Sequence, residues 1–128
     1  MEIGIDNVEI SRFKKDILSK KNILNKIFTK KEIQYCEKKL HSAQHYCVRF
    51  AAKEAVVKAF LSYDIKIPLN KIEILNKKDG VPFVTILDNG MDNYEIKISL
   101  THSDKTAAAV AIIYQKPKND SRAQNIVP

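Results

Sequence analysis

Hydrophobic and polar positions near the N-terminus first alternate and then follow a helical period. In residues 2–8, Ile3 and Ile5 fall on one face and Asp6 on the other, which predicts a short strand with Asp6 near its end. From Ile10 onward, apolar residues recur at helical spacing and basic residues lie off that face. We therefore expect a strand followed by a basic helix.

Two further helices are predicted in the first half of the chain. Thr29 and Glu32 have the spacing of a capping box, which predicts a helix from there to about Leu40, with Leu40 on its core face. Apolar residues at helical spacing predict a longer helix from about Ser42 to Leu61. Alanines at every fourth position of that helix form a ridge of small side chains, which permits close packing against a neighbour.

The second half of the chain has a β-type pattern. Residues 72–75 and 82–87 flank a turn that contains Gly80, which predicts a hairpin in which this glycine supplies a positive φ. Residues 94–100 alternate and predict a half-buried strand that leads into a loop containing His102. A largely apolar strand follows. The pattern thus predicts three helices and several antiparallel strands.

Length and composition predict one domain, residues 1–114, with a polar tail over residues 115–128 that we expect to be disordered. The chain has 128 residues, of which 45% are hydrophobic, enough for a core without disulfide or metal crosslinks. No apolar run reaches the roughly 20 residues that cross a bilayer, and the first residues lack the layout of a signal peptide. Two cysteines are too few for a disulfide framework. We expect a cytoplasmic protein that does not bind a membrane.

Positive charge is concentrated in one segment, residues 12–39. The whole chain has a net charge of +7, and this segment alone contains ten Lys and Arg against three acidic residues. Such a segment attracts nucleic acid, anionic lipid or an acidic protein. A compositional bias toward Lys, Ile and Asn also explains the charge without any binding role. No zinc-finger, RNA-recognition or helix-turn-helix signature accompanies it.

Three residues are candidates for chemistry at one site. Glu54 and Lys58 share a helix face at i and i+4, where a surface ion pair is the simplest interpretation. The charges around them lie among apolar residues, which favours a cleft or a subunit interface instead. Asp6 adds a second carboxylate from another element. Two carboxylates from separate elements suit Mg²⁺, which binds few protein oxygens and leaves positions for phosphates.

Histidines give weaker signals. His102, in its loop, is able to donate to a phosphate or transfer a proton, but it is also consistent with an ordinary loop residue. His41 and His45, near two cysteines, suggest zinc, although their spacing matches none of the common closed zinc sites. Neither a P-loop nor a dinucleotide-binding glycine motif is present in the sequence.

Motifs along the chain occur in an order that is typical of one enzyme family. They are Gly4–Ile10 with Arg12-Phe13, Phe28-Thr29-x-x-Glu32, Arg49–Ala55 with Lys58-Ala59, Gly80-x-Pro82, and Ile98–Ser103 with Ala107-x-Ala109. This set resembles the holo-acyl-carrier-protein synthases, the small bacterial 4′-phosphopantetheinyl transferases, over residues 3–114. The resemblance implies an α+β fold with three helices packed on an antiparallel sheet. It also implies a homotrimer with active sites between subunits.

The resemblance also implies a reaction. In this family, a serine of apo acyl carrier protein attacks the β-phosphate of coenzyme A, takes the 4′-phosphopantetheine group and releases 3′,5′-ADP, in support of fatty acid biosynthesis. The catalytic residues would be Asp6, Glu54 and Lys58. The two carboxylates would hold Mg²⁺, with Mn²⁺ possible, and the lysine would neutralise or protonate the departing phosphate.

The resemblance assigns the remaining site residues to the two substrates. Coenzyme A would be contacted by Arg49, Lys58, Gly80, Pro82 and His102. Acyl carrier protein would dock its acidic helix on Arg12, Lys14 and Lys15, which explains the one-sided charge better than nucleic acid does. One departure from the family is Leu61-Ser62-Tyr63, which replaces a glycine-containing segment. The alternative function is a noncatalytic basic module that binds RNA or an acidic protein, which leaves the two carboxylate motifs unexplained.

Overall fold

The computed structural model describes residues 1–117. The strands are β1 (Glu2–Glu9), β2 (Ile72–Asn76), β3 (Pro82–Ile86), β4 (Tyr94–His102) and β5 (Thr106–Gln115). The helices are α1 (Ile10–Phe13), which continues as a π-helical turn (Lys14–Leu18), α2 (Leu24–Ile27), α3 (Lys30–Glu37) and α4 (Ser42–Leu61), and a 3-10 turn covers Leu69–Lys71. Gln115, the first residue of the predicted tail, still belongs to β5, and residues 118–128 lie outside the described part.

The strands form two antiparallel sheets. One has the order β1-β5-β4, and the other is the β2–β3 hairpin. The N-terminal strand therefore pairs with the C-terminal one, along a register that runs from Glu2 opposite Ile113 to Glu9 opposite Thr106. The predicted α+β class with helices on antiparallel strands is confirmed. The described helices number four rather than three, because the short α2 precedes the helix that the capping box begins.

Helix α4 packs against the inner face of the larger sheet, chiefly against β1 and β5. The predicted alanine ridge, Ala51, Ala55 and Ala59, is fully buried. Gly4 of β1 lies on that ridge so closely that a Cβ atom built there would stand 1.9 Å from the backbone oxygen of Ala55. Small residues on both sides thus bring the backbones of β1 and α4 together.

Three predicted positions need correction. Helix α3 ends at Glu37, so Leu40 lies beyond it with 92% of its surface exposed and does not join the core. His102 is the last residue of β4, opposite Ala107, rather than part of the following loop. In addition, Asp6 lies inside β1, opposite Ala109, because the pairing of β1 with β5 continues to the end of both strands.

Helix α4 ends where the segment that departs from the family begins. Its last residue is Leu61, and the chain reverses through Asp64, whose φ is +59°. The amide of Ile65 donates to the carbonyl oxygen of Phe60 at 3.1 Å, which closes this helix end. A positive φ at Asp64 therefore does what a glycine commonly does at such a position. Between residues 1 and 117, no helix combines the length and apolar character needed to span a membrane.

Candidate active site

An ion pair joins β1 to α4 at the edge of the molecule. The Nζ atom of Lys58 lies 2.9 Å from Oδ1 of Asp6 and donates to the carbonyl oxygen of Ile5 at 3.0 Å. The side chain of Lys58 is 51% exposed and that of Asp6 is 16% exposed. The two predicted residues are thus brought together at a surface that a substrate can reach.

The second predicted carboxylate, Glu54, lies one helical turn before Lys58 and is half-buried. Its pKa is raised, first by burial and then by the negative charge of Asp6, while Lys58 opposes the shift. This effect of Asp6 on Glu54 means that β1 and α4 bring the two carboxylates into one electrostatic site. Lys58 forms its ion pair across to Asp6 rather than along the helix to Glu54.

The donor set of this site suits a hard divalent cation. Two carboxylates that repel each other gain from a cation between them, and Mg²⁺ needs few protein oxygens because it keeps several waters and takes phosphate oxygens. Within residues 1–117 no group of three or more His, Cys, Asp and Glu side chains is placed to hold a metal. The residues present fit a cation that shares its coordination with a phosphate substrate.

A second charged group on α4 is fully buried and was not singled out from the sequence. Lys53 lies 2.7 Å from Glu32 of α3, and both side chains are 0% exposed. The ammonium also donates to the carbonyl oxygens of Leu69, at 2.9 Å, and Ile72. Glu32 is the capping-box residue of α3, and it accepts the amide of Ile74 at 2.8 Å. One carboxylate thereby joins α3, α4 and β2.

Arg49 lies inside the fold, with 3% of its surface exposed. It donates to the carbonyl oxygens of Ile74, at 3.3 Å, and His45, at 3.4 Å, and to Oδ1 of Asn76 at 2.6 Å. Its guanidinium also stacks on the ring of Tyr35, 4.1 Å from the centroid. This burial leaves only a small part of the side chain accessible for the phosphate contact that the resemblance implies, and that contact stays a prediction.

The β2–β3 turn with Gly80 and Pro82 lies next to this arginine. The side-chain amide of Asn76, which binds Arg49 at one end, donates at the other to the carbonyl oxygen of Gly80 at 2.9 Å. Gly80 has φ +90°, as the sequence predicted, and nothing lies within 4 Å of the Cβ it lacks, so conformation rather than space requires a glycine. Neither Asn76 nor Tyr35 was singled out from the sequence, because neither stands in a charged motif.

His102 lies in the same electrostatic neighbourhood as Arg49. The pKa of His45 is lowered first by burial and then by the positive charges of Arg49, Lys39, His102 and His41. These groups come from α4, the end of β4 and the segment after α3. The fold therefore gathers positive charge around the first half of α4, while Glu54 lies in the second half of α4 and Asp6 of β1 lies beside that half.

The predicted partner-binding residues Arg12, Lys14 and Lys15 are exposed on α1 and its π-helical extension. Arg12 borders a surface depression of about 410 Å³ together with Asn7 and Glu9. These two residues follow Asp6 in β1. The three basic residues therefore lie directly after β1, the strand that contains Asp6.

Comparison with known proteins agrees with this arrangement. Residues 2–113 match the family model of the 4′-phosphopantetheinyl transferase superfamily. The chain is also 44% identical, over 116 residues, to the holo-[acyl-carrier-protein] synthase of Clostridium botulinum strain Eklund 17B; the match covers 87% of this chain and 94% of that protein. The chain belongs to the holo-[acyl-carrier-protein] synthases. The resemblance inferred from its motifs is confirmed.

Solved structures of holo-[acyl-carrier-protein] synthases have the same fold. The enzyme of Helicobacter pylori in complex with coenzyme A superposes with a TM-score of 0.74 at 28% identity, covering 88% of this chain and 99% of that one. The ACPS–CoA complex of Chronobacterium ammoniagenes gives a TM-score of 0.78 at 22% identity, covering 91% and 98%. The second likeness concerns the fold alone.

Proposed function

We propose that this synthase transfers the 4′-phosphopantetheine group of coenzyme A to a serine of apo acyl carrier protein, in support of fatty acid biosynthesis. The observation that carries the proposal is the meeting of Asp6, Glu54 and Lys58 between β1 and α4. The high identity to named synthases supports the same reaction. A noncatalytic basic module has no use for two carboxylates held beside each other at the surface.

The reaction moves one phosphoryl group between two oxygens. The serine oxygen forms a bond to the β-phosphorus of coenzyme A, the bond from that phosphorus to the bridging oxygen breaks, and 3′,5′-ADP leaves with the electron pair. Lys58, which is half exposed, offers its ammonium to the negative charge that grows on the leaving phosphate. A carboxylate of the site, or a water held there, would accept the proton that the serine loses.

Asp6 and Glu54 would hold Mg²⁺, or Mn²⁺, at this site. When bound, the ion supplies charge neutralisation for the pyrophosphate. The residues of the chain fit this role because their oxygens come from two elements and the negative charge of Asp6 raises the pKa of Glu54. The choice between the two metals stays open.

For coenzyme A we propose contacts with Arg49, Lys58, Gly80, Pro82 and His102. Gly80 and His102 are exposed and Pro82 is half-buried, so the turn and the strand end are open to a ligand. Arg49 is nearly covered, so we propose that coenzyme A reaches only the small accessible part of its side chain and that its charge adds a Coulomb attraction for the anionic ligand.

For acyl carrier protein we propose docking of an acidic helix on Arg12, Lys14 and Lys15. Arg12→Glu should raise the KM for carrier protein and weaken its salt dependence, while affinity for coenzyme A stays nearly constant. Lys66→Glu makes the same charge change at an exposed position outside residues 12–39 and is the control. An unchanged carrier KM in the Arg12 variant counts against docking, and weakened RNA binding at physiological salt instead indicates the nucleic-acid alternative.

A homotrimer with active sites between subunits is also proposed, with a second copy covering the outer face of the larger sheet. Ile3 and Ile5 are 64% and 68% exposed on that face of β1. Val110 and Ile112 lie opposite them on β5 and are half-buried. An apolar strip of this kind marks an interaction surface. Ile5→Glu should dissociate the assembly in sedimentation velocity, and a wild-type chain that sediments as a monomer would exclude the trimer.

The decisive experiment is incubation with coenzyme A, Mg²⁺ and an apo carrier protein, followed by intact mass measurement. We expect the carrier to gain one phosphopantetheine group. If several apo carriers gain no mass under conditions in which a known synthase works, the binding module becomes the better interpretation. The cytoplasmic location expected from the sequence stays a prediction.

A further inference from the structure

The carboxamide of Asn76 accepts one hydrogen bond and donates another. Its Oδ1 accepts from the guanidinium of Arg49 at 2.6 Å, and its Nδ2 donates to the carbonyl oxygen of Gly80 at 2.9 Å. Only a side chain with both an acceptor and a donor at this place satisfies both partners. Asn76 is the last residue of β2, so it stands between the buried face of α4 and the exposed turn.

The guanidinium at one end of this link is held from several sides. Besides Asn76, Arg49 donates to the carbonyl oxygens of Ile74 and His45 and stacks on Tyr35. A side chain with this many contacts has little rotational freedom. Whatever is attached to it through Asn76 therefore has a fixed reference point in α4.

The turn at the other end has few anchors besides Asn76. Within residues 77–81 the backbone bonds are local, from Lys77 to the oxygen of Val81 at 2.9 Å and from Gly80 to the oxygen of Lys77 at 2.8 Å. These bonds fix the shape of the turn but not its position relative to α4. Among the described residues, the bond from Asn76 to Gly80 is the side-chain link from the turn itself to a residue that binds Arg49, whose other bond to the hairpin reaches Ile74 within β2.

We propose that Asn76 is a positioning residue for coenzyme A, which holds the β2–β3 turn and the Arg49 guanidinium in one geometry. This inference rests on the proposed function, in which that turn and that cation face the ligand. Binding groups that are already held in place lose less conformational entropy when the ligand binds. The link therefore contributes to the affinity for coenzyme A rather than to the chemical step.

The test measures binding and the two Michaelis constants in Asn76→Ala and Asn76→Asp, on the full chain. In the alanine variant we expect the Kd for 3′,5′-ADP, measured by calorimetry, and the KM for coenzyme A to rise about tenfold, the effect of losing a hydrogen bond to a charged group. The kcat at saturating coenzyme A and the KM for carrier protein should stay near wild type. The same two substitutions at Asn89, exposed in the next turn, are the controls.

The aspartate variant tests whether the hydrogen bonds of Asn76, rather than the size and shape of its side chain, are required. It keeps the acceptor for Arg49, loses the donor to Gly80 and adds a negative charge beside the cation, so it should raise the KM for coenzyme A at least as much as alanine does. Arg49→Lys keeps the charge but not the fork of donors. In a double-mutant cycle, Asn76→Ala should cost less in the Arg49→Lys background than alone, because the link is already broken.

Each outcome decides between the possible roles. If the Asn76 variants fold and their KM for coenzyme A lies within twofold of wild type, the positioning role is wrong. If kcat and both KM values change together, or if neither variant folds, Asn76 is a purely structural residue and the proposal is overturned. A wild-type chain that fails to modify any carrier refutes the proposed function instead, so the two failures are distinguishable.

Discussion

Helix α4 carries two lysine–carboxylate pairs of almost equal length and very different surroundings. Lys53 and Glu32 are 2.7 Å apart with both side chains fully buried, whereas Lys58 and Asp6 are 2.9 Å apart with both side chains partly exposed. The two lysines are five positions apart, which turns their side chains about 140° from each other around the helix. One pair therefore faces α3 and β2, and the other faces β1 and solvent.

The partners of each pair explain why only one is suited to chemistry. The Lys53 ammonium also binds two backbone carbonyl oxygens, and Glu32 also accepts backbone amides, so the buried charges are satisfied inside the fold. Within residues 1–117, the side chain of Asp6 has Lys58 as its one hydrogen-bond partner, and its negative charge raises the pKa of Glu54. The buried pair of Lys53 and Glu32 thus stabilises the fold, whereas the exposed pair of Lys58 and Asp6 leaves carboxylate oxygens available for a ligand.

The largest expected effect is on turnover, at the exposed pair. Glu54→Gln keeps the shape of the side chain but removes the charge that a divalent cation requires, and Asp6→Asn does the same on β1. Turnover should fall by orders of magnitude in each variant, while the thermal unfolding midpoint changes little. Glu37→Gln on the exposed side of α3 is the control. A variant that keeps its turnover refutes the catalytic role of that residue.

The buried pair should give the opposite result. Glu32→Gln leaves the ammonium of Lys53 without its counter-charge in the interior, which costs about 3–5 kcal/mol of unfolding free energy. Chemical denaturation followed by circular dichroism measures this loss, again with Glu37→Gln as the matched control on the same helix. Any loss of turnover should then follow the fraction of folded protein. A destabilisation below about 1 kcal/mol, the value of a surface pair, would contradict the comparison.

A change at Gly4 should affect both properties at once. Gly4→Ala places a methyl group against the backbone oxygen of Ala55, so β1 must move away from α4. Overpacking costs about 1–3 kcal/mol, and the movement also separates Asp6 from Lys58. Stability and turnover should fall together. Because the clash is with backbone, Ala55→Gly should not rescue the variant; rescue would show that side-chain volume alone limits the contact.

The sequence predicts the exposed site better than the buried one. Asp6, Glu54 and Lys58 stand in motifs that are recognisable without a structure, and the resemblance implies one site for them. The ion pair of Lys58 with Asp6 is not predicted, because helical spacing suggests Glu54 as its partner. The pairing of Lys53 with Glu32 joins a residue of the long helix to the capping-box residue of α3, and neither helical spacing nor a motif indicates that the two meet. Long-range contacts of this kind depend on how α3 and β2 pack on α4, which periodicity does not determine.

Features that depend on residues close together in the chain are predicted correctly from the sequence. The capping box of Thr29 and Glu32 and the positive φ of Gly80 are confirmed, because each depends on residues a few positions away. Leu40 was wrongly assigned to the core, since an apolar residue in phase with a helix is buried only if the helix continues that far. The loop position predicted for His102 is wrong, because the end of β4 is determined by its pairing with β5, which periodicity along the chain does not indicate.

The smallest expected effect concerns the positive charges gathered away from both pairs. Burial, reinforced by Arg49, Lys39, His102 and His41, lowers the pKa of His45 below its usual value of 6.5. Below that value the unfolded chain binds a proton that folded His45 does not, so this residue contributes stability at neutral pH that is lost as the pH falls. On going from neutral pH to about 5.5, the His45→Gln variant should therefore lose less unfolding free energy than wild type. All other titrating groups are common to both proteins, so their contributions cancel in the difference. Equal losses in the two proteins, measured by urea denaturation at each pH, would mean that neither burial nor the surrounding cations lower the pKa of His45 in the folded chain.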